Sequence, residues 1–324
     1  MATTSVWLDR IGAQLWAAPS LTFIPDRVLE PPEGTPVVGD GPRVAFCGFP
    51  SDFSIAFLLA MLRLDVRPVG IITSPGAHPA ILGTNALSQV ADHIGVPLLR
   101  LWRINDDHSR ADIAALDLDA VVMASFDQIV GARALALPRH GWLNVHPGPL
   151  PRYRGPEPIW WTIADGAPEG GITLHRAVPR FDAGPVMAQR MVPVKADDDA
   201  GTLTRGLAEA GTDALGVALA ALLRDDPGTP LDMDAASYRP SVGHRRLDHA
   251  GSAAEAERMV RAGRPNMPVW TERDGVPVYV TGAVVSTVCE DADLRFSDGC
   301  LRLTAFSPRC GCHHDTELCP HRED

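Results

Sequence analysis

Short apolar runs alternate with longer amphipathic stretches over the first half of the chain. The runs are continuously apolar, which is typical of strands buried on both faces of a parallel sheet. They predict strands at residues 43–48, 69–73, 98–101, 118–124 and 142–146. Helical patterns fill the intervals at 51–64, 86–94 and 111–116. This order predicts an α/β fold: a Rossmann-like, mostly parallel sheet with helices on both faces.

The second half of the chain has a different pattern of predicted helices and strands. Helical patterns cover residues 158–164, 202–223 and 253–262, and strands are predicted at 171–178 and 185–194. After residue 262, short alternating runs separated by Gly and Asp predict strands at 269–270, 276–281, 283–288 and 301–306. Strands of this spacing predict a small OB-like β domain after the α/β domain.

Stretches rich in proline and glycine indicate the domain boundaries. They predict an N-terminal extension at 1–42, a main domain at 43–228, a linker at 229–250, a small C-terminal β domain at 251–308 and a Cys/His-rich tail at 309–324.

Composition narrows the possible functions only slightly. Of 324 residues, 45% are hydrophobic and 21% charged, as in an ordinary globular protein. No apolar run approaches the length needed to span a membrane, and the first residues lack a signal-peptide pattern. We therefore expect a cytoplasmic protein without a membrane partner. The net charge of −11 is unfavourable for binding a polyanion. Nothing here indicates the oligomeric state.

The cysteines fall into two groups. Cys47, Cys289 and Cys300 lie in separate apolar segments, so we expect buried, reduced core residues. The tail carries thiols and imidazoles at short spacings, which predicts a structural zinc site with the ligands Cys310, Cys312, Cys319 and His321. Against zinc, Cys-x-Cys departs from the usual Cys-x2-Cys spacing, and an unliganded chain end is the alternative.

Candidate chemistry begins at the end of the fifth predicted strand. Asn144 and His146 are two residues apart, so their side chains share one face of that strand. A carboxamide and an imidazole side by side can polarise a carbonyl and move a proton. Asp182, if it reaches His146, would fix the tautomer of the ring and favour its protonated form. The alternatives are a turn-capping Asn, a core His and a turn Asp.

These residues resemble the signature of the 10-formyltetrahydrofolate-dependent formyltransferases. The resemblance is carried by Asn144-Val-His146-Pro, Leu150-Pro-Arg-Tyr-Arg-Gly155 and Asp182-Ala-Gly184, and it extends from about residue 43 to about residue 308. The family includes methionyl-tRNA and sugar-amine formyltransferases, which carry a similar second domain, and glycinamide ribonucleotide formyltransferase, which does not. The resemblance implies an enzyme with 10-formyltetrahydrofolate as formyl donor. It assigns catalysis to Asn144, His146 and Asp182, with His146 as acid, base or both.

The resemblance also implies binding residues. In the family, two loops hold the folate largely through backbone groups, and they match Phe126, Gln128, Ile129 and Val130, and Val178, Arg180, Phe181 and Asp182. The tip of the first strand lies where family members approach the acceptor, so the substrate-binding candidates are Ser51, Asp52, Arg152, Tyr153 and Arg154. Arg152 and Arg154 can equally be solvated loop residues.

Charge separates the possible acceptors. Methionyl-tRNA formyltransferases engage the acceptor stem with a basic insertion after the second strand, whereas residues 68–99 here contain no Lys or Arg. Because tRNA affinity depends on neutralising phosphates, we expect a small-molecule amine, such as an amino sugar or a specialised metabolite. Methionyl-tRNA formylation stays open because Arg245, Arg246 and Arg258 lie near the second domain. A 10-formyltetrahydrofolate hydrolase and a metal-binding interaction protein on an inactive scaffold are further alternatives.

Overall fold

The computed structural model describes residues 41–74, 86–243 and 245–308. The described chain forms two compact units. The first runs to Arg154 and also takes in Gly171–Val192 and Arg205–Ser237. The second comprises Gly155–Gly170, Pro193–Thr204 and the chain from Tyr238 onward.

A seven-stranded sheet forms the centre of the fold. Its strands are β1 (Val44–Gly48), β2 (Ile71–Thr73), β3 (Leu98–Arg100), β4 (Ala120–Ala124), β5 (Trp142–His146), β6 (Glu169–Arg176) and β7 (Val186–Pro193). Their order is β3-β2-β1-β4-β5-β6-β7. Strands β1 to β5 are mutually parallel, and β6 runs antiparallel to β5. The predicted Rossmann-like, mostly parallel sheet is confirmed.

Among the described residues, five helices connect these strands and two follow the last of them. They are α1 (Asp52–Arg63), α2 (Ala86–Ile94), α3 (Asp107–Ala114), α4 (Ala132–Leu135), α5 (Pro158–Ala164), α6 (Ala200–Leu223) and α7 (Ala253–Gly263). Helix α3 begins before the predicted residue 111, because the side chain of Asp106 caps it by accepting the Ser109 N–H at 2.7 Å. Helix α4 was not predicted, since its four residues are too few to show a period.

Burial on both faces of the sheet explains the continuous apolar runs. Every residue of β1 is buried, and α1 buries the whole stretch from Phe53 to Leu62. Trp142 is fully buried in β5 and donates its indole N–H to the Ala134 carbonyl at 3.1 Å. Parallel strands covered on both sides have no polar face to alternate with.

An antiparallel sheet of four strands forms the C-terminal part of the second unit. Its strands are β8 (Val269–Arg273), β9 (Val276–Ser286), β10 (Leu294–Phe296) and β11 (Gly299–Pro308), in the order β10-β11-β9-β8. The two strands predicted at 276–281 and 283–288 are one strand, β9, which passes through Gly282 opposite a register shift in β11. Strand β10 was not predicted. The small β domain itself is confirmed.

The cysteine prediction is correct for one residue and wrong for two. Cys47 is buried and free, as expected. Cys289 and Cys300 form a disulfide, with their Cα atoms 5.6 Å apart, and Cys289 is only half-buried. Cys289 follows β9 by three residues, and Cys300 of β11 is opposite Ser286 of β9, so the pairing of these two strands brings the cysteines together. Pattern analysis of separate segments does not reveal such a pairing.

Helix α6 is the one described helix that is long and apolar enough to cross a membrane by length and composition. More than half of its apolar window, 56%, is buried inside the protein. A core helix that packs on a sheet has the same composition, so these features are accounted for by packing.

Two glycines of α6 provide a test of how tightly it packs. A Cβ at Gly211 would lie 2.4 Å from Ile172 Cδ1 and 2.6 Å from Phe57 Cζ, whereas one at Gly206 would lie 3.3 Å from Val192 Cγ1. Helix propensity favours alanine equally at both positions. We therefore expect Gly211→Ala to be less stable than Gly206→Ala by about 1–3 kcal/mol, the usual cost of overpacking. Denaturant unfolding measures the difference, and equal stabilities would contradict this packing.

Candidate active site

Strand register brings the polar residues of β5 and β6 together. Asn144 and His146 lie at the carboxyl end of β5, where Asn144 is directly opposite His175 and His146 is directly opposite Thr173. Opposite residues of an antiparallel pair project to the same side of a sheet. Asn144, His146 and His175 therefore share one face.

The carboxylate of Asp182 lies among these three side chains. Asn144 Nδ2 donates to Asp182 Oδ1 at 3.3 Å. His146 Nδ1 is 3.5 Å from Asp182 Oδ2, and His175 Nε2 is 3.6 Å from Asp182 Oδ1. Asp182 and both histidines are buried. The structure thus brings together the three residues singled out from the sequence and adds His175 to them.

Backbone carbonyls fix the protons on both imidazoles. A carbonyl only accepts hydrogen bonds, so His146 Nε2, which lies 2.9 Å from the Tyr153 carbonyl, carries a hydrogen. By the same reasoning His175 Nδ1 donates to the Arg176 carbonyl at 3.1 Å, and His175 Nε2 accepts from Asn144 Nδ2 at 3.0 Å. The nitrogen of His146 that faces Asp182 is Nδ1.

Burial sets the charge state of His146. Loss of hydration lowers the pKa of its imidazole below the ordinary value of 6.5, and the Asp182 carboxylate partly opposes this effect by favouring the cation. The neighbouring His175 lowers the pKa further. His146 is therefore neutral at pH 7, and its Nδ1 is available to accept a proton. Next to it, the Asn144 carboxamide is a neutral hydrogen-bond donor.

Two loops present these groups through unusual backbone conformations. Asp182 has φ +46° and Tyr153 has φ +56°, in the left-handed region that is sparsely populated by non-glycine residues. Between Asp182 and the sheet the chain passes so close to β6 that a Cβ at Gly184 would lie 1.7 Å from the Arg176 carbonyl oxygen. Strained backbone of this kind is concentrated at functional sites.

Side chains of β6 and β7 hold the proline- and glycine-rich loop after β5. Thr173 Oγ1 donates to the Gly148 carbonyl at 2.7 Å and accepts the Leu150 N–H at 3.2 Å. Gln189 Nε2 donates to the Leu150 carbonyl at 2.8 Å. Polar anchors along the loop keep the Tyr153 carbonyl within reach of His146.

The three loop candidates for substrate binding have different environments. Arg152 is exposed. Tyr153 is buried and contacts His146 through its carbonyl. Arg154 is also buried, and its Nε donates to the Phe181 carbonyl at 2.9 Å, so its guanidinium joins the loop after β5 to the loop that carries Asp182.

The first of the two candidate folate loops follows β4. The Gln128 side chain fastens it, since Oε1 accepts the Ile104 N–H and Nε2 donates to the Leu101 carbonyl, both at 2.8 Å. Phe126 and Val130 pack against the core, whereas Ile129 is 65% exposed. The amide of Gln128 is therefore engaged within the protein, and the loop offers backbone groups and the apolar Ile129 to a ligand.

The second candidate folate loop precedes Asp182. Val178 is half-buried, Arg180 is exposed, and Phe181 is 36% exposed, which is high for a phenylalanine. Exposed apolar side chains beside backbone donors and acceptors suit a flat heteroaromatic ring such as a pterin. The residues present therefore fit a reduced folate.

Ser51 and Asp52 follow β1 at the point where the strand order reverses. The Ser51 side chain caps α1 by accepting the Ser54 N–H at 3.2 Å. Asp52 Oδ1 is buried and has no hydrogen-bond partner among the described residues, and burial raises the pKa of this carboxyl to about 7. In register, the last residue of β1 is beside Ala124, which is beside Val145. Two strand spacings, roughly 10 Å, thus separate the ends of β1 and β5.

The predicted zinc ligands Cys310, Cys312, Cys319 and His321 lie outside the described residues. Within the described ranges, no group of three or more His, Cys, Asp or Glu side chains is arranged to hold a metal ion.

His175 is the site residue that sequence analysis missed. The run Thr173-Leu-His-Arg carries it, but a histidine in a buried strand is usually a core residue. Only the β5–β6 register identifies its partner as Asn144. The available signal was the period of two, which places Thr173 and His175 on the same face of β6.

Comparisons with known proteins identify a family for this chain. A family model described as formyl transferase matches residues 66–219. Methionyl-tRNA formyltransferase of Roseiflexus sp. strain RS-1 is 34% identical over 259 residues, which are 77% of this chain and 79% of that protein.

Solved structures share the fold. An N-formyltransferase from Helicobacter canadensis, in complex with folinic acid and dTDP-3-aminofucose, aligns with a TM-score of 0.58 at 14% identity over 81% of this chain and 98% of that one. HypX from Aquifex aeolicus, in complex with tetrahydrofolic acid, aligns with a TM-score of 0.60 at 18% identity over 83% of this chain. This chain spans only 44% of the length of HypX. Because this chain matches the family model and is 34% identical to a relative over 77% of its length, it belongs to the formyltransferase family of enzymes.

Proposed function

We propose that this enzyme transfers the formyl group of 10-formyltetrahydrofolate to the primary amine of a small molecule, of the amino-sugar or specialised-metabolite class. The observation that carries the proposal is the meeting of Asn144, His146 and Asp182 at the carboxyl end of β5. A carboxamide, a neutral imidazole and a carboxylate are the groups that amine formylation requires. When bound, the folate supplies the formyl carbon.

Asn144 is the proposed electrophilic residue. Attack by an amine places negative charge on the formyl oxygen, and a neutral N–H donor stabilises that charge. Both amide hydrogens of Asn144 have partners here, at 3.0 Å from His175 Nε2 and 3.3 Å from Asp182 Oδ1. The 3.3 Å contact with Asp182 is the longer and weaker of the two. We propose that Asn144 exchanges this contact for one to the formyl oxygen.

His146 is the proposed proton acceptor. Its Nε2 hydrogen is held by the Tyr153 carbonyl, which leaves Nδ1 to take the proton that the amine loses and to return it to the nitrogen from which the formyl group departs. The resulting imidazolium is stabilised by Asp182 Oδ2, 3.5 Å away. Asp182 thus raises the basicity of a ring whose pKa burial has lowered.

Asp52 is the proposed contact for the acceptor. A buried carboxylate oxygen without a partner is unfavourable, and an ammonium or amine N–H of the acceptor would satisfy it. The lack of Lys and Arg between residues 68 and 99 supports the same class of acceptor.

Formylation of methionyl-tRNA is the second candidate function. It is favoured by the 34% identity with a methionyl-tRNA formyltransferase over most of both chains. The two functions share the donor and the chemistry, and they differ in whether the acceptor brings a polyanion with it.

Replacement of Asn144 by alanine tests the electrophilic role. We expect Asn144→Ala to lower kcat about 100- to 1,000-fold, as loss of one oxyanion donor does elsewhere. Release of tetrahydrofolate measures the rate, and circular dichroism checks the fold. Asn266→Ala, the same change at an exposed position, is the control and should keep full activity. Equal activity of the two variants would remove Asn144 from the mechanism.

The pH–rate profile tests the proton acceptor. The neutral form of His146 is the active one, so kcat/KM falls on acidification through the pKa of this group, below 6.5. Asp182→Asn removes the charge that raises this pKa, so the acidic limb should move to lower pH while kcat decreases. A limb that stays in place in the Asp182→Asn enzyme, or moves to higher pH, would contradict the assignment.

An acceptor screen tests the proposed function as a whole. The full chain is incubated with 10-formyltetrahydrofolate and, in parallel, with dTDP-linked amino sugars, other primary amines, and aminoacylated or uncharged initiator tRNA. We expect a small amine to be formylated, with product detected by mass spectrometry and tetrahydrofolate released in equal amount.

Two outcomes of the screen would overturn the proposal. Formylation of methionyl-tRNA without turnover of any small amine would establish the second candidate function. Release of formate in the absence of an amine, at the rate seen with amines, would identify a hydrolase.

A further inference from the structure

A cavity lies within the second unit, between α5, the segment before α7, and α7 itself. Trp160, Trp161, Asp165, Arg245 and Met259 are among the residues that line it, and its volume is about 140 Å³. A volume of roughly 10–15 Å³ is enough for one water molecule, whereas drug-sized ligands occupy sites of roughly 300 Å³ or more. The cavity therefore suits a ligand of a few heavy atoms.

Trp160, one of the residues that line this cavity, carries a buried donor without an acceptor. Trp160 is 4% exposed, and its indole Nε1 has no hydrogen-bond partner in the described part of the chain. Its neighbour differs in this respect, because Trp161 Nε1 donates to the Pro240 carbonyl at 2.9 Å. Buried indole N–H groups usually have a partner. A ligand that is not part of the protein could supply the acceptor that the Trp160 N–H lacks.

Arg245 supplies further donors to the same cavity. Its guanidinium lies 4.7 Å from the ring centroid of Trp161 and 5.6 Å from that of Trp160. Its Nε donates to the Val242 carbonyl at 3.1 Å, and its two terminal nitrogens have no partner among the described residues. Stacking on two aromatic rings fixes the plane of the guanidinium in advance, so little side-chain freedom is lost when a ligand binds.

The carboxylates around the cavity are already engaged. Asp165 pairs with Arg239, and Glu255 accepts the Gly251 N–H at 2.7 Å. Arg246 is also engaged, through ion pairs with Asp248 and Glu272. His249, the remaining polar side chain, is exposed. Among the other residues that line the cavity, the polar groups left without a partner are the Trp160 N–H and the terminal N–H groups of Arg245. All of them are donors.

We propose that this cavity is a binding site for a small oxyanion, either a carboxylate or a phosphate group. One oxygen of the anion accepts the Trp160 N–H, and the guanidinium of Arg245 provides charge and paired donors to the other oxygens. The residues that line the cavity belong to the second unit and the proposed catalytic residues to the first, and the proposal does not rest on the proposed acceptor.

Calorimetric titration of the full chain tests the site directly. Sodium phosphate and sodium acetate are titrated in separate experiments at constant ionic strength, with sodium chloride as the reference salt. We expect saturable binding at one site for at least one of the two anions. The anion that binds distinguishes a phosphoryl ligand from a carboxylate ligand.

Three variants assign the binding to this cavity. Trp160→Phe keeps an aromatic ring but removes the N–H, and Arg245→Gln removes the charge. Each should weaken binding about tenfold, which is typical of a hydrogen bond to a charged group. Arg273→Gln is the matched control, because Arg273 stacks on Phe306 at 4.4 Å and does not line the cavity. This control should bind as the unmodified protein does. Thermal unfolding of each variant checks that it is folded.

The proposal is wrong if the heats follow ionic strength alone, or if folded Trp160→Phe and Arg245→Gln proteins bind as tightly as Arg273→Gln. Both outcomes would mean that the cavity holds only ordered water. Binding of an RNA hairpin that depends on Arg245, with no binding of phosphate or acetate, would equally overturn it and indicate a nucleic-acid surface.

Discussion

The carboxylate of Asp182 is only 7% exposed, so neighbouring protein groups must replace the water that normally stabilises such a charge. Asn144 of β5 provides one such group by donating to the carboxylate at 3.3 Å, and the ring nitrogens His146 Nδ1 and His175 Nε2 lie 3.5 and 3.6 Å from it. Each contact is long, and together they surround the carboxylate. The position of Asp182 therefore depends on the antiparallel pairing of β6 with β5, and a change in any of the three partners alters the environment of the other two.

This arrangement also determines which nitrogen can take part in proton transfer. Both imidazoles are buried, and each has one nitrogen bonded to a backbone carbonyl. The second nitrogen of His175 is occupied by the Asn144 amide. Among the described residues, His146 Nδ1 is the ring nitrogen that faces the carboxylate without a hydrogen bond, at 3.5 Å. In the proposed mechanism a proton gained at that atom becomes part of a buried ion pair, so the carboxylate and the proton acceptor act as one unit.

Local patterns were sufficient for one part of the site and insufficient for another. The five parallel strands follow from continuous apolar runs, and the common face of Asn144 and His146 follows from the period of two in a strand. The role of His175 depends on the register between β5 and β6, and the disulfide of Cys289 depends on the pairing of β9 with β11. Both are non-local contacts that periodicity within one segment does not encode. The same holds for Arg154, a loop arginine that is buried against the Phe181 carbonyl.

The Asp52 carboxyl at the end of β1 bears on which substrate amine the enzyme accepts. Asp52 has a pKa of about 7, so this carboxyl is partly protonated at neutral pH. A bound ammonium stabilises the ionised form, and the carboxyl then releases its proton as the acceptor binds. An amine must itself be neutral before it attacks a formyl group, and His146, also neutral at this pH, takes the proton lost in that step. Under the proposed function, Asp52 and His146 have different roles. Asp52 selects a cationic acceptor, and His146 removes the charge of that acceptor at the reaction centre.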